Sequence, residues 1–408
     1  MPRFFGHPLG GLQPARSGYV EVADAGGGRR RQGPTPARLY WEEYGAPAGR
    51  PLFLLNGGCS KIPLMGNVIQ VALERGYRVL IHESRGIGRS SCQVAGRQTS
   101  TLLAADAQAV ADGAWGPDSR FVLYGISLGG LVGQELMYRL VAAGQKSRVL
   151  AAWLMVTGPG SWLRPPPFLQ LPLMRMAFKP TAAPAAAAPA AAPAASPAAA
   201  GGADEATNGK LSLAKGGGGA MFADDADFAA RYSLESLFSN AWLDSPAPPE
   251  AIDPAAGAAG KAAVAGAVPE VHINVGADGA AAVAGGSGGH VLTRREAVWR
   301  VFKTHWRDML ALHGPSDFPA VACQLTSLLG HYLQPHRAAI IRAAGLRISV
   351  GVSTADAFFP EAAQRQLATA LGAEVVQVVG AGHLDGAMLD GAYSAFDGGL
   401  GWLSASKQ

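Results

Sequence analysis

The sequence predicts an α/β protein, with a mostly parallel central sheet, helices on both of its faces and a helical cap inserted between the two halves of the sheet. Three observations predict it. Short continuous apolar runs that suit strands buried on both faces alternate with longer stretches of helical periodicity. One such run, Phe121-Val122-Leu123-Tyr124, passes through Gly125-Ile126-Ser127-Leu128-Gly129 directly into a helical pattern. Near the C-terminus, candidate catalytic side chains stand just after strand-like runs, where open α/β sheets gather their sites.

Strand-like sequence starts over Gly18–Ala23 and resumes over Arg38–Glu43, and the connection carries Arg29-Arg30-Arg31. Pro51–Leu55 is the next strand, ending in Asn56-Gly57-Gly58-Cys59, whose two glycines permit close backbone approach. The run from Val79 leads into Glu83-Ser84-Arg85-Gly86-Ile87-Gly88-Arg89-Ser90. After Ser127, the residues Leu128, Leu131, Val132 and Leu136 recur at helical spacing, so this helix packs back on the sheet. A strand running through G-x-S-x-G into a helix is the layout of a nucleophile elbow, and Ser127 is the expected nucleophile. With 54 glycines in the chain, the bare motif means little, and its strand-and-helix context carries the assignment.

A serine hydroxyl needs a histidine to take its proton and a carboxylate to fix that histidine's tautomer. With this elbow the partners follow in the order serine, acid, histidine. The strand Arg347–Val352 is followed by Ser353-Thr354-Ala355-Asp356, and the β-rich run Glu374–Val379 by Gly380-Ala381-Gly382-His383. Asp356 and His383 complete the expected triad. Asp385 lies too close to His383 along the chain, Thr157–Gly160 holds no carboxylate, and His331 and His336 precede the acid in helical surroundings. The oxyanion hole is expected from the backbone N–H of Leu128 and from that of Gly58 or Cys59.

These motifs resemble the α/β-hydrolase fold superfamily, the large group that includes proline iminopeptidases, esterases and monoacylglycerol lipases. The likeness covers roughly residues 17–160 and 335–403. Glu83–Ser90 is similar to the family's D-x-R-G-x-G-x-S, Ser353–Pro360 to G-x-x-D-x-x-x-P, and Gly380–His383 to G-x-G-H. The chain departs from the pattern at Asn56, where the family usually has His, and at Cys59-Ser60, where iminopeptidases carry Pro-Gly. It departs again at Glu83, which lengthens the acidic side chain of a loop taken as mainly structural, and at Leu128, where many iminopeptidases have Trp. The departures move the reading from peptidase toward esterase.

The 408 residues divide into an N-terminal core part, 1–160, a cap, 161–340, and a C-terminal core part, 341–408. Within the cap, the Ala/Pro/Gly-rich tracts 179–219 and 246–289 cannot bury enough surface to offset chain entropy and are expected to be disordered. Phe222–Leu243, with Phe228, Tyr232 and Trp242, and Thr293–Leu333, with Trp299, Phe302 and Trp306, read as amphipathic cap helices. Their aromatics suit the cap's own core or a substrate pocket. His305 reads as packing, and Arg300, Lys303 and Arg307 as a solvated cationic face.

A net charge of +4 is too small for a nucleic-acid footprint. The three cysteines, Cys59, Cys92 and Cys323, are widely separated and odd in number, which suits a reducing compartment. Neither a C-x-x-C nor a histidine pair has metal-site spacing, and no cofactor is implied. No apolar run reaches the length of a membrane span and none resembles a signal peptide, so the cytoplasm is the expected location. Met1–Ala15, basic and nearly free of acids, leaves little room for organelle targeting.

The leading functional expectation is a serine hydrolase acting by two-step acyl transfer on a small or medium carboxylic ester. An iminopeptidase-like aminopeptidase acting on a short peptide is the alternative, and it would need a cap carboxylate such as Glu235 or Asp308 to hold the substrate ammonium. A non-catalytic ligand-binding protein on the same scaffold is the third reading. Epoxide or haloalkane hydrolysis calls for aspartate where Ser127 stands.

Overall fold

The computed structural model describes residues 12–22, 36–58, 60–91, 98–160, 318–379 and 382–383, with isolated positions at 244, 273–274, 295 and 299. Strands β1 (Arg16–Val22) and β2 (Ala37–Tyr44) pair antiparallel, and β2 pairs antiparallel with β4 (Tyr77–His82). Beyond β4 the sheet is parallel. It adds β3 (Arg50–Leu55), β5 (Phe121–Ile126), β6 (Val149–Met155), β8 (Ile348–Ser353) and β9 (Glu374–Val379), with the two-residue β7 (Ile273–Asn274) at its edge. The strand order is β1-β2-β4-β3-β5-β6-β8-β9-β7.

All six residues of β5 are buried, which is why it reads as one apolar run and not as an alternation. Side chains of a strand alternate between faces. Phe53, Leu55, Leu123, Leu154 and Val350 join one core with helices α2 (Ser100–Trp115), α3 (Leu128–Ala142), α5 (Pro335–Ala343) and α6 (Glu361–Leu371). Their neighbours Leu52, Leu54, Val122 and Trp153 are buried as well, so neither face is left wet. Helix α1 (Gly66–Glu74) packs beside β4. Helix α2 begins at Thr99, whose hydroxyl accepts the Leu102 N–H at 3.1 Å, satisfying one of the orphan donors of a helix start.

The chain leaves the first half of the core at Gly160 and returns at His331, just past α4 (Phe318–Gly330). The two points are tied. Gly160 and Tyr332 form an antiparallel bridge, and Leu333 N–H donates to the Pro159 carbonyl at 2.7 Å. His331 is buried between Ser100 Oγ at 2.7 Å and Gln134 Oε1 at 3.1 Å, while Gln134 Nε2 donates to the Gly158 carbonyl. That last bond fixes the amide oxygen toward the ring, so His331 carries its proton on Nε2 and accepts from Ser100 at Nδ1. Burial and the nearby Arg337 push its pKa down to about 3, and the ring is neutral. His336 lies inside α5, which spans the boundary expected at 340.

The cap segment 222–243, the residues Glu235, Arg300, Lys303, His305, Trp306, Arg307 and Asp308, and almost all of the tracts expected to be disordered lie outside the described residues. Within the second tract only Ile273–Asn274 is described, as β7.

Candidate active site

The site begins at the C-terminal end of β5. Ser127 has φ 55° and ψ −119°, in a region that L-residues other than glycine rarely occupy, and its N–H is held by the Met155 carbonyl at 3.0 Å. This backbone places the serine at the start of α3, between strand and helix. The close passage needs the flanking glycines. A Cβ on Gly125 would lie 2.7 Å from the Gly129 carbonyl oxygen, and one on Gly129 would lie 2.0 Å from the Leu55 carbonyl oxygen.

Asp356 stands in the turn after β8, two strands along the sheet from the elbow. Its Oδ1 accepts the N–H groups of Phe358 at 2.7 Å and Phe359 at 3.0 Å, a short-range clamp typical of aspartate turns. Its Oδ2 faces His383 Nδ1 at 2.9 Å. An ionised carboxylate only accepts, so Nδ1 carries the ring proton and the Nε2 lone pair points away from Asp356. Both residues are buried, His383 at 5% exposure. The ring is fixed further by Phe358, 4.8 Å away between centroids, and by Phe359, 6.0 Å away and stacked. Phe359 also closes on the loop after β6, since a Cβ on Gly158 would lie 3.3 Å from its ring.

Asp356 and His383 are thus brought together. Ser127 stands at the same end of the sheet, and among the described residues its hydroxyl is engaged in no hydrogen bond, with His383 or any other group.

The loop after β3 covers the elbow. A Cβ on Gly57 would lie 3.7 Å from Ser127 Cβ, and one on Gly58 would lie 3.5 Å from Leu128 Cδ2. Leu128, as the first residue of α3, has no carbonyl within its helix to donate to, which leaves its N–H free for a substrate oxygen. Gly58 faces it across the gap, and Cys59 lies outside the described residues. Two side-chain contacts hold this loop that the spacing of motifs does not reveal. Asn56 Nδ2 donates to the Ser60 carbonyl at 2.8 Å, and the wholly buried Glu83 accepts the Arg89 N–H at 2.6 Å while facing the Ile62 N–H at 3.5 Å.

Charged groups beneath the loop follow their burial. Burial pushes Glu83 up and Lys61 down, and His82, wholly desolvated, falls to about 4. A cavity of about 10 Å³ lies between His82, Asn56, Leu55, Leu128 and Val132. The D-x-R-G-like loop is built around ion pairs. Arg85 holds the buried Asp106 through two bonds, and Arg89 reaches Glu42 at 2.7 Å. Among the described residues no cluster of three or more His, Cys, Asp or Glu side chains is arranged to hold a metal ion. No helix among them is long and apolar enough to cross a membrane. Cys323 is buried and forms no disulfide among the described residues.

Neither a family model nor a curated protein matches this sequence. Solved structures do. A hydrolase from Pseudomonas aeruginosa is 16% identical with a TM-score of 0.53, covering 94% of this chain and 98% of its own. A thermophilic esterase from Thermogutta terrifontis is 14% identical with a TM-score of 0.55, covering 96% and 100%. An enol-lactonase from Burkholderia xenovorans is 16% identical with a TM-score of 0.50, covering 91% and 96%. At such identities the likeness is one of fold.

Proposed function

Because this chain has the α/β-hydrolase fold, we propose that it is a serine hydrolase that cleaves small or medium carboxylic esters by two-step acyl transfer. The observation that carries the proposal is the buried Asp356–His383 pair, ordered by two backbone N–H groups and two phenyl rings, at the sheet end where Ser127 occupies a strained elbow. In this reading His383 Nε2 takes the Ser127 proton as Oγ attacks the ester carbonyl. The N–H groups of Leu128 and Gly58 hold the developing oxyanion. The alcohol leaves with the proton from His383, and a water activated at the same nitrogen releases the acid.

Two structural neighbours, an esterase and an enol-lactonase, both cleave esters, which favours this substrate class over a peptide. The carboxylates that the aminopeptidase reading would use to hold a substrate ammonium, Glu235 or Asp308, lie outside the described residues. A cytoplasmic location is in keeping with the separated cysteines, of which Cys323 forms no disulfide among the described residues.

The test is labelling of the purified chain by a fluorophosphonate, with Ser127→Ala alongside, followed by p-nitrophenyl esters and aminoacyl-β-naphthylamides. Label lost with Ser127, together with ester turnover, is the expected result. Preferred cleavage of the naphthylamides would move the assignment to the aminopeptidase, and a folded parent that takes no label would move it to a binding protein.

A further inference from the structure

We propose that Asn56 is the positioning residue of the oxyanion loop, its carboxamide closing residues 56–60 into a ring that aims the Gly58 N–H at the carbonyl attacked by Ser127. The inference rests on the serine-hydrolase reading above and assigns a role that the reaction scheme leaves open.

Gly57 and Gly58 have no side chains with which to hold a conformation, and glycine has the widest backbone freedom of any residue. Something else must fix the loop. Its start is fixed by β3, where Leu55 pairs with Gly125 beside the elbow. Within the loop the Ser60 N–H reaches the Gly57 carbonyl at 3.4 Å, and Ser60 Oγ the Gly58 carbonyl at 3.4 Å, both at the long limit of a hydrogen bond. The Asn56 Nδ2 to Ser60 carbonyl bond, at 2.8 Å, is the short one. It is also sheltered, since Asn56 is 5% exposed, and a bond out of water competes less with solvent.

The backbone of Asn56 serves the second donor too. Its carbonyl oxygen would lie 2.6 Å from a Cβ on Gly129, so Asn56 presses on the first turn of α3 next to Leu128. One residue therefore touches both walls of the expected hole. Gly57 backs onto Ser127 itself, so a shift of the ring would be felt at the nucleophile.

The experiment compares Asn56→Asp, which keeps the shape and loses the donor, with Asn56→Ala and with Asn56→His, which restores a ring N–H donor. The kcat and KM for a p-nitrophenyl ester, the rate of fluorophosphonate labelling and thermal unfolding are measured for each. Asn56→Asp and Asn56→Ala should lower kcat roughly ten- to a hundredfold, the scale of a displaced transition-state donor. KM should change little, and Asn56→His should recover part of the loss. In the unsubstituted protein the Asn56 side-chain amide protons should exchange slowly with solvent, a readout that does not depend on any variant folding. A labelled parent whose kcat is unmoved in a folded Asn56→Asp, or whose Asn56 amide exchanges freely, overturns this inference alone. A parent that takes no label overturns the serine-hydrolase reading and this inference with it.

Discussion

Replacing Asp356 by asparagine separates the proposed catalytic duty of this carboxylate from its structural one. The carboxylate divides its labour between two oxygens. Oδ1 accepts the Phe358 and Phe359 N–H groups, and Oδ2 accepts from His383 Nδ1. In Asp356→Asn the amide oxygen keeps the two backbone bonds, which leaves the amide nitrogen facing Nδ1. An N–H cannot accept, so the ring must move its proton to Nε2 to offer a lone pair at Nδ1. The tautomer is then wrong for the proposed mechanism, because Nε2, which has to take the serine proton, is already protonated. Loss of about 10⁴-fold in kcat is expected, the effect of this substitution in a serine-protease triad, or about 5.5 kcal/mol of transition-state stabilisation. Folding should survive, since no buried N–H loses its partner. Asp356→Ala provides the contrast, stranding both N–H groups at about 1–3 kcal/mol each. Hydrolysis of a p-nitrophenyl ester and urea unfolding of both variants measure the two effects. A folded Asp356→Asn variant within tenfold of the parent kcat would refute the assignment of acid and histidine.

Further outcomes are expected from the same geometry. Gly129→Ala should destabilise by more than about 3 kcal/mol, because the new methyl would meet backbone at Leu55 and not a side chain that can turn aside; near-parental urea unfolding would mean that β3 and α3 can part. Acid should weaken the fold through His82 and His331. Their folded pKa values, about 4 and about 3, lie below the ordinary 6.5, so both are neutral when folded, and the stability they contribute is present above pH 6.5 and lost as pH falls through that window. Each adds a slope of about 1.4 kcal/mol per pH unit there. Glu83, raised by burial, works in the opposite sense, losing its contribution as pH rises, so the comparison to make is between the parent and His331→Gln. Urea titrations at pH 7 and pH 5 should show a shallower dependence in that variant, and equal slopes would show that His331 is not held neutral.

The parts of this site that the sequence reveals are those written locally. Ser127, Asp356 and His383 each follow a strand within a few residues, and each motif can be read from its own neighbourhood. The clamp on Asp356 was within reach, since an aspartate two and three residues before unpaired N–H groups is a turn signal. His331 was not. Helical spacing around it suggests a helix, yet α4 stops at Gly330, and the ring is fixed by Ser100 and Gln134, which are 231 and 197 residues away along the chain. The Asn56 clamp is hidden for a different reason. A carboxamide reaching four residues on is local, but nothing in residue type distinguishes it from an asparagine that merely tolerates a turn.

The bridge between Gly160 and Tyr332 closes a long excursion of the chain where it leaves and rejoins the core. Its two ends are riveted there by Leu333 and His331, and within it Ile273–Asn274 returns to the sheet edge beside β9. The entropy of closing such an excursion grows only with the logarithm of its length, about 0.6 kcal/mol for each doubling. Low-complexity sequence can therefore expand or contract between the rivets at little entropic expense to the sheet. Gly160–Tyr332 thus marks the seam at which a change of length in the intervening sequence is absorbed.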